Sequence, residues 1–326
     1  MTINNEHPFS HGNNGFQISP RLQELMVYAG QMDSYANCNE VINEFISVKV
    51  SSAQVYRVAE FYGSKLEGTL NNERILEPVK KHEVLYAQAD GSMIQTREDG
   101  WNEVKLGRIF KSSDCIHCEG KQGWVSHSQY LAHLGGHKTF CSGMDNLLDD
   151  FGPLKERLVF ITDGAVWLKN WIEDSFPDAV SILDFYHATE HLHDFSSQFF
   201  KDKNEELQWT QQQRALLLES KTTEVITNII NLGNGKNPAA AKLVAYFQSN
   251  LHRMNYKKYQ QIGCGLIGSG AIESAHRTVI QKRMKQSGQR WSIKGAQHML
   301  NLRVAKKNQQ WDKIIALTKT EIRKAA

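Results

Sequence analysis

Three carboxylates stand in settings that suit chemistry on a phosphate. Asp90 closes the apolar, strand-like run Val84, Leu85, Tyr86, Ala87 and is followed by Gly91; Asp163 closes Leu158, Val159, Phe160, Ile161 and is followed by Gly164. A carboxylate just past a buried strand faces solvent on a rigid support. The third, Glu273, heads the run GSGAIESAHRTVIQKRMKQSGQRWSIKGAQHMLNLRVAKK. No acid recurs there until Asp312, while nine Lys and Arg residues lie from Arg277 to Lys307. That imbalance fits a carboxylate working beside a polyanionic backbone. If the three converge, their mutual repulsion calls for two divalent cations, Mg²⁺ or Mn²⁺. Two ions about 4 Å apart can activate water or a DNA 3′-hydroxyl and stabilise the leaving oxygen at a scissile phosphate. Such chemistry needs no protein nucleophile, and hard oxygen ligands suit these ions better than scattered thiols. An aspartate after a strand is more often a cap or turn residue, so convergence is the decisive requirement.

The basic run has a second use. Arg277, Lys282, Arg283, Lys285, Arg290 and Lys294 are candidates to neutralise DNA phosphates, and Trp291 either packs on sugar and base or anchors a helix. The competing reading is a solvated basic helix with Met284, Trp291 and Leu300 turned inward. The long interval without acids argues against ordinary surface patterning.

The elements that must position these groups follow from local pattern. Ser19-Pro20 reads as an N-cap with proline at the first helical position, and Ser51 as the cap of a later helix. Residues 18–80 are therefore expected to be helical, either as a DNA-binding helix-turn-helix or as a structural bundle. Strands are expected at 84–94 and 101–110 around the turn Glu98-Asp99-Gly100, near Gln129 to Thr139, at Leu158 to Ile161 and at Val180 to Leu183. The expected fold is α/β, a mixed five-stranded sheet. Core segments 81–198 and 261–326 are separated by a helical insertion, 199–260, broken at Gly233-Asn234-Gly235. Residues 1–17, polar and rich in Gly and Asn, read as a disordered lead.

With 326 residues and 37.1 kDa the chain can bury a large core, and its net charge of only +3 makes local clustering more informative than the total. Its five cysteines are odd in number and scattered. No signal-like pattern or apolar run near 18 residues is present, so a reducing cytoplasmic setting without membrane insertion is expected. Three motifs compete for attention. His187-Ala188-Thr189-Glu190-His191 matches the HxxEH pattern of zinc metalloproteases, but no third ligand can be named. Cys115-x-x-Cys118 with His117 would need Cys141 or His133 to hold structural zinc, and a reduced pair is the default. Gly263 to Gly268 matches GxGxxG, yet follows the polar run YKKYQQ rather than a strand, which argues against dinucleotide binding.

Several separated blocks together resemble the bacterial insertion-sequence transposases of the ISKra type, distant relatives of the Mutator-like group. They are ISPRLQEL, QADGSMIQTR with WNEVKLGRIF, ITDGAVWLKNWIEDSFPDAVSILDFYHATEHL, and GSGAIESAHRTVIQKRMKQSGQRWSIKGAQHMLNLR, spanning about residues 18 to 307. The resemblance implies an RNase H-like core, interrupted by a helical insertion, that cuts and joins transposon DNA with a DDE set. It places that set at Asp90, Asp163 and Glu273, with Asp184 and His187 beside it and Arg283, Arg290 and Trp291 in the block RMKxSGxRWS. The partners implied are transposon ends and target DNA, bound as a homo-oligomer associated with the bacterial nucleoid. The chain starts almost at the ISPRL block, where such proteins commonly carry a longer end-recognition region, which leaves a non-catalytic, transposase-derived DNA-binding protein as the alternative. The loop DCIHCEGKQG has no counterpart in the resemblance.

Overall fold

The computed structural model describes residues 14–67, 74–118, 121–235 and 237–320. Three helices open the fold: α1 (Pro20–Met32), α2 (Tyr35–Ile46) and α3 (Ser52–Lys65). Their starts are those expected from the caps. Ser19 Oγ accepts from the Leu22 N–H, and Ser51 forms a capping box in which Gln54 returns a hydrogen bond to the cap backbone.

The sheet follows: β1 (Leu85–Gln95), β2 (Trp101–Lys111), a separate hairpin of β3 (Cys115–Cys118) and β4 (Lys121–Val125), then β5 (Gln129–Leu134). Helix α4 (His137–Asp149), strand β6 (Leu158–Thr162), helix α5 (Val166–Ser175) and strand β7 (Val180–Leu183) complete it. The main sheet has five strands in the order β5-β2-β1-β6-β7. β2 runs antiparallel to both its neighbours, and β1, β6 and β7 run parallel.

The remaining chain is helical: α6 (Phe185–Ser196), α7 (Lys203–Leu218), α8 (Thr222–Leu232), α9 (Pro238–Ser249) and α10 (Tyr256–Tyr259). A continuous winding then joins α11 (Gly270–Ala275), a π-helical stretch (His276–Gln281) and α12 (Lys282–Met284), ahead of α13 (Ile293–Lys307) and α14 (Trp311–Lys319). The π stretch has a physical cause. The buried Arg303 guanidinium donates to the carbonyls of Thr278 and Val279, which an ordinary helix would spend on its own N–H groups.

Alternation along β1 sorts the layers. Leu85, Ala87 and Ala89 join a core under α4 and α5 on one face, while Tyr86 turns to the other face and packs with α6 and the 199–260 helices. A third core joins α1–α3 to residues 272–314. The N-terminal helices are thus not a separate module: α3 lies so close to α13 that a Cβ on Gly63 would sit 2.5 Å from the His298 carbonyl oxygen. Helix α3 packs one face on α13 and leaves Ser52, Ala53, Tyr56 and Arg57 exposed on the other.

Three expectations are corrected, and one unassigned loop gains structure. Asp90 does not close its strand: β1 runs on to Gln95, because β2 pairs with it along its whole length. The strand expected to reach Thr139 stops at Leu134, where Gly135 takes a φ of +115° and α4 begins two residues later. The loop DCIHCEGKQG contributes the β3–β4 hairpin. Of the expected lead, residues 1–13 lie outside the described residues, but Asn14 donates to Tyr62 and Phe16 packs edge-on to Phe61.

Candidate active site

Strand register sets the acids side by side. The parallel pairing of β1 with β6 ends at Gln88↔Ile161, so Asp90 and Asp163 each stand two residues beyond the same rung. The pairing of β6 with β7 ends at Thr162↔Leu183, so Asp163 and Asp184 each stand one residue beyond it. Asp90, Asp163 and Asp184 therefore form a row across three neighbouring strands, at the carboxyl ends of β6 and β7 where ligands of such sheets bind. The glycines after the two candidate aspartates serve close approach. A Cβ on Gly91 would strike Glu103, and one on Gly164 would lie 2.2 Å from the Tyr246 ring.

The even-numbered face of β1 docks the Glu273 helix. Tyr86 Oη donates to the Ile262 carbonyl at 2.8 Å and accepts from the Cys264 N–H. Gln88, fully buried, donates to the Gly268 carbonyl at 3.1 Å and accepts from the Ile272 N–H at 2.9 Å. Asp90, next on that face, lies 3.3 Å from His276 Nε2. This approach is off the line of a good hydrogen bond, since both ring nitrogens of His276 lack a hydrogen-bond partner. Glu273 is one turn before His276. Its carboxylate is exposed and accepts from Ser269 Oγ at 3.0 Å, while the Ser269 N–H donates to Asp184 Oδ1 at 3.0 Å. Ser269 thus ties Glu273 to the acid row. Among the described residues, no three His, Cys, Asp or Glu side chains stand close enough together to hold a cation.

The electrostatics separate the acids. Burial pushes Asp90 up, but the His276 contact and the Gly91 N–H outweigh it and hold the group below its ordinary value. Asp163 goes the other way: burial and the Asp90 charge raise it, against the Ala165 N–H, His187 and Arg253. Asp184 is fully buried and caps α6 through the Tyr186 N–H, yet its Oδ2 has no hydrogen-bond donor and lies 3.7 Å from His187 Nε2. His187 Nδ1 faces Glu190 at 3.2 Å, and the His191 ring packs 4.7 Å from that of Tyr246. The two histidines of the HxxEH pattern are therefore engaged with the acid row and the insertion. Tyr246, delivered by α9, is pushed up to about 12, by burial first and by Asp163 among its neighbouring charges. Under the row lies Arg253, also fully buried, donating to Thr162 Oγ1 at 2.7 Å and to the carbonyls of Thr162, Asp163 and Ile182.

Sequence reasoning missed Gln88, His276, Tyr246 and Arg253. Period-two alternation from Asp90 and helical spacing from Glu273 point to the first two. Tyr246 and Arg253 carry no local signal, because their roles arise from how the insertion returns to the sheet.

The basic segment divides. Arg277, Lys282, Lys285, Arg290 and Lys294 are exposed. Arg283 is corrected as a surface phosphate contact: it is 1% exposed, donates to the Gly30 carbonyl at 2.8 Å, and lies 4.9 Å from both the Tyr35 and Trp291 rings. Trp291 is likewise buried. Its indole donates to Met284 O, and its backbone exchanges hydrogen bonds with Gln95 and Arg97, extending the end of β1. Burying the guanidinium between two rings and against a carbonyl replaces water at modest cost. Cys115 faces Cys264 and packs with the insertion-side core, whereas Cys141 belongs to the opposite core.

The fold and this site define an α/β protein whose acidic side chains gather at the ends of parallel strands. The chain belongs to the family described as Uncharacterised protein family (UPF0236), whose model matches residues 14–320. It is 24% identical over 241 residues to a Streptococcus gallolyticus protein named "UPF0236 protein in vanSb 3′region". That match covers 71% of this chain and 51% of the relative, so the chain spans about half the length of the curated relative it matches. Among the described residues no helix is long and apolar enough to cross a membrane.

Proposed function

We propose that this protein is a metal-dependent phosphoryl-transfer enzyme acting on DNA, a DDE transposase with an RNase H-like core. The observation that carries this reading is the row Asp90, Asp163, Asp184, with Glu273 tied to it through Ser269. A mixed sheet in which β2, second from one edge, alone runs antiparallel to the others, and a helical block between β7 and the Glu273 helix, support the same reading. Exposed Arg277, Lys282, Lys285, Arg290 and Lys294 supply positive charge for a double-stranded substrate.

The residues present suit hard cations. Asp184 has a buried carboxylate oxygen without a donor, and Asp163 carries a raised affinity for protons that a metal ion would replace. Asp90, Asp163 and Glu273 would hold two Mg²⁺ or Mn²⁺ ions, with Asp184 at the back of the row. When bound, these ions supply charge neutralisation at the scissile phosphate and polarise the attacking and leaving oxygens. The chain's own groups then position. Gln88 fixes the helix that carries Glu273, His276 holds Asp90 in its charged form, Arg253 pins the strand ends, and Ser269 keeps Glu273 turned toward Asp184.

Pairing two transposon ends calls for a homo-oligomer on DNA, working on chromosomal DNA in the cytoplasm. The test combines DNA carrying candidate element ends with Mg²⁺ or Mn²⁺ and compares the intact protein with Asp163→Asn. Metal-dependent cleavage by the first and none by the second is expected. Equal cleavage by both, or DNA binding with no cleavage under any divalent ion, refutes the catalytic reading and leaves a binding protein.

A further inference from the structure

Three helix N-termini converge on one cleft remote from the acids. The cleft, about 530 Å³, is walled by Ser34 and Tyr35 at the start of α2, Ser52 and Ala53 at the start of α3, and Ser292 and Gly295 at the start of α13. It lies at the far end of β1, where Arg97 is seven residues beyond Asp90, roughly 23 Å at strand spacing. The first-turn residues of each helix, and so its positive end, stand in the cleft wall. The cap side chains answer only one N–H each: Ser34 that of Asn37, Ser51 that of Gln54, and Ser292 that of Gly295.

The side chains add to this field. Arg97 and Arg290 line the cleft, are exposed, and form no ion pair among the described residues. Arg283 forms the floor between the Tyr35 and Trp291 rings, and its Nη2 has no hydrogen-bond partner although the side chain is almost fully buried. Among the described residues no acid lines the cleft. Acids on adjoining residues are engaged. Asp33 accepts from the Ser34 N–H, Asn37 and Gln286; Glu60 holds His298; Glu98 accepts from the Ile293 N–H and answers part of the α13 charge. A desolvated guanidinium, two free ones and three helix ends, with no carboxylate in the wall, make a strongly anion-seeking concavity.

We infer that this cleft is a phosphate-binding site, gripped by Arg97 and Arg290 over a floor of Arg283. The phosphate is either a phosphodiester in a nucleic-acid backbone or free inorganic phosphate. The backbone source has a path: exposed Arg277, Lys282 and Lys285 lie on the winding that runs from Glu273 toward the cleft. The inference stands apart from the cleavage reaction, since it requires neither a cation nor the acid row.

The test uses the full chain in EDTA with two probes, a 20-base-pair duplex of arbitrary sequence and inorganic phosphate. The variants are the double change Arg97→Gln with Arg290→Gln, each single change, and a remote control pair, Lys201→Gln with Lys319→Gln. For a backbone phosphate, the slope of log affinity against log salt should flatten by about 0.9 per arginine that loses its contact, so by about 1.8 in the double variant. The control should keep the wild-type slope. For free phosphate, a rise in Tm with phosphate should disappear in the double variant while the DNA slope stays unchanged. A folded double variant with wild-type DNA slope and wild-type response to phosphate overturns the inference. Both arginines are exposed and unpaired, and the single variants keep the test open if the double folds poorly. Failure of Mg²⁺-dependent cleavage would leave this result untouched, and failure here would leave the acid row intact.

Discussion

Gln88→Leu is the sharpest probe of how the sheet holds the Glu273 helix. The substitution keeps the volume approximately and removes one buried amide that donates to the Gly268 carbonyl and accepts from the Ile272 N–H. The two losses differ. The Ile272 N–H also reaches the Ser269 carbonyl at 2.8 Å, so it keeps a partner and forfeits only part of a bond, about 0.5–1.5 kcal/mol. The Gly268 carbonyl loses the buried donor given by Gln88, which costs about 1–3 kcal/mol. The sum is roughly 1.5–4.5 kcal/mol, and at roughly 2 °C per kcal/mol for a chain of this size Tm should fall by about 3–9 °C. Gln88→Glu should cost more, because it keeps an acceptor for Ile272, turns a second oxygen against the Gly268 carbonyl and buries a charge. Hydrogen exchange should locate the damage at residues 268–276. Metal-dependent cleavage should fall well below what the lost stability explains, with the DNA salt slope unchanged, because the exposed basic side chains are not touched. A Tm within 1 °C of wild type, with amide protection at 268–276 intact, would refute the docking role of Gln88.

Other expectations follow from the same geometry. Without divalent ions, Asp163→Asn should raise Tm at neutral pH, since Asn keeps the acceptor for the Ala165 N–H and removes a carboxylate whose ionised form is disfavoured. The folded-state value of Asp163 is raised, so its contribution to stability is greatest at low pH and is lost as pH climbs through that value. The gain should therefore shrink on acidification, and a lowered neutral-pH Tm would count against the assignment. Arg253→Met should destabilise by about 3 kcal/mol or more, by orphaning the carbonyls at the ends of β6 and β7, as read by chemical denaturation; a loss under 1 kcal/mol would deny the pinning role. Gly63→Ala should cost about 1–3 kcal/mol by forcing α3 off the α13 backbone, and an unchanged midpoint would show that this contact yields freely.

Much of the architecture is legible in residue pattern. The apolar runs before Asp90, Asp163 and Asp184 form the three parallel strands, and Ser19 and Ser51 start the helices their caps announce. These signals are local: alternation, capping and turn chemistry act over a few residues. The β3–β4 hairpin was hidden because its residues, rich in Cys, Gly and Lys, lack that alternation, and α4 because it starts directly after two glycines.

What the sequence by itself determined is which carboxylates follow buried apolar runs, and that a long basic segment contains no acid to neutralise it. What only the tertiary structure decided is which charges face solvent. Arg253, Arg283 and Arg303 look like any surface arginine in the chain, yet each is buried against carbonyls supplied by remote segments, at Thr162, Gly30 and Gln31. The physical reason is that a charge can leave water only where enough acceptors converge on it, and convergence is a property of packing, not of neighbouring residues. The same holds for the acids: strand register, not spacing along the chain, sets Asp90, Asp163 and Asp184 in one row.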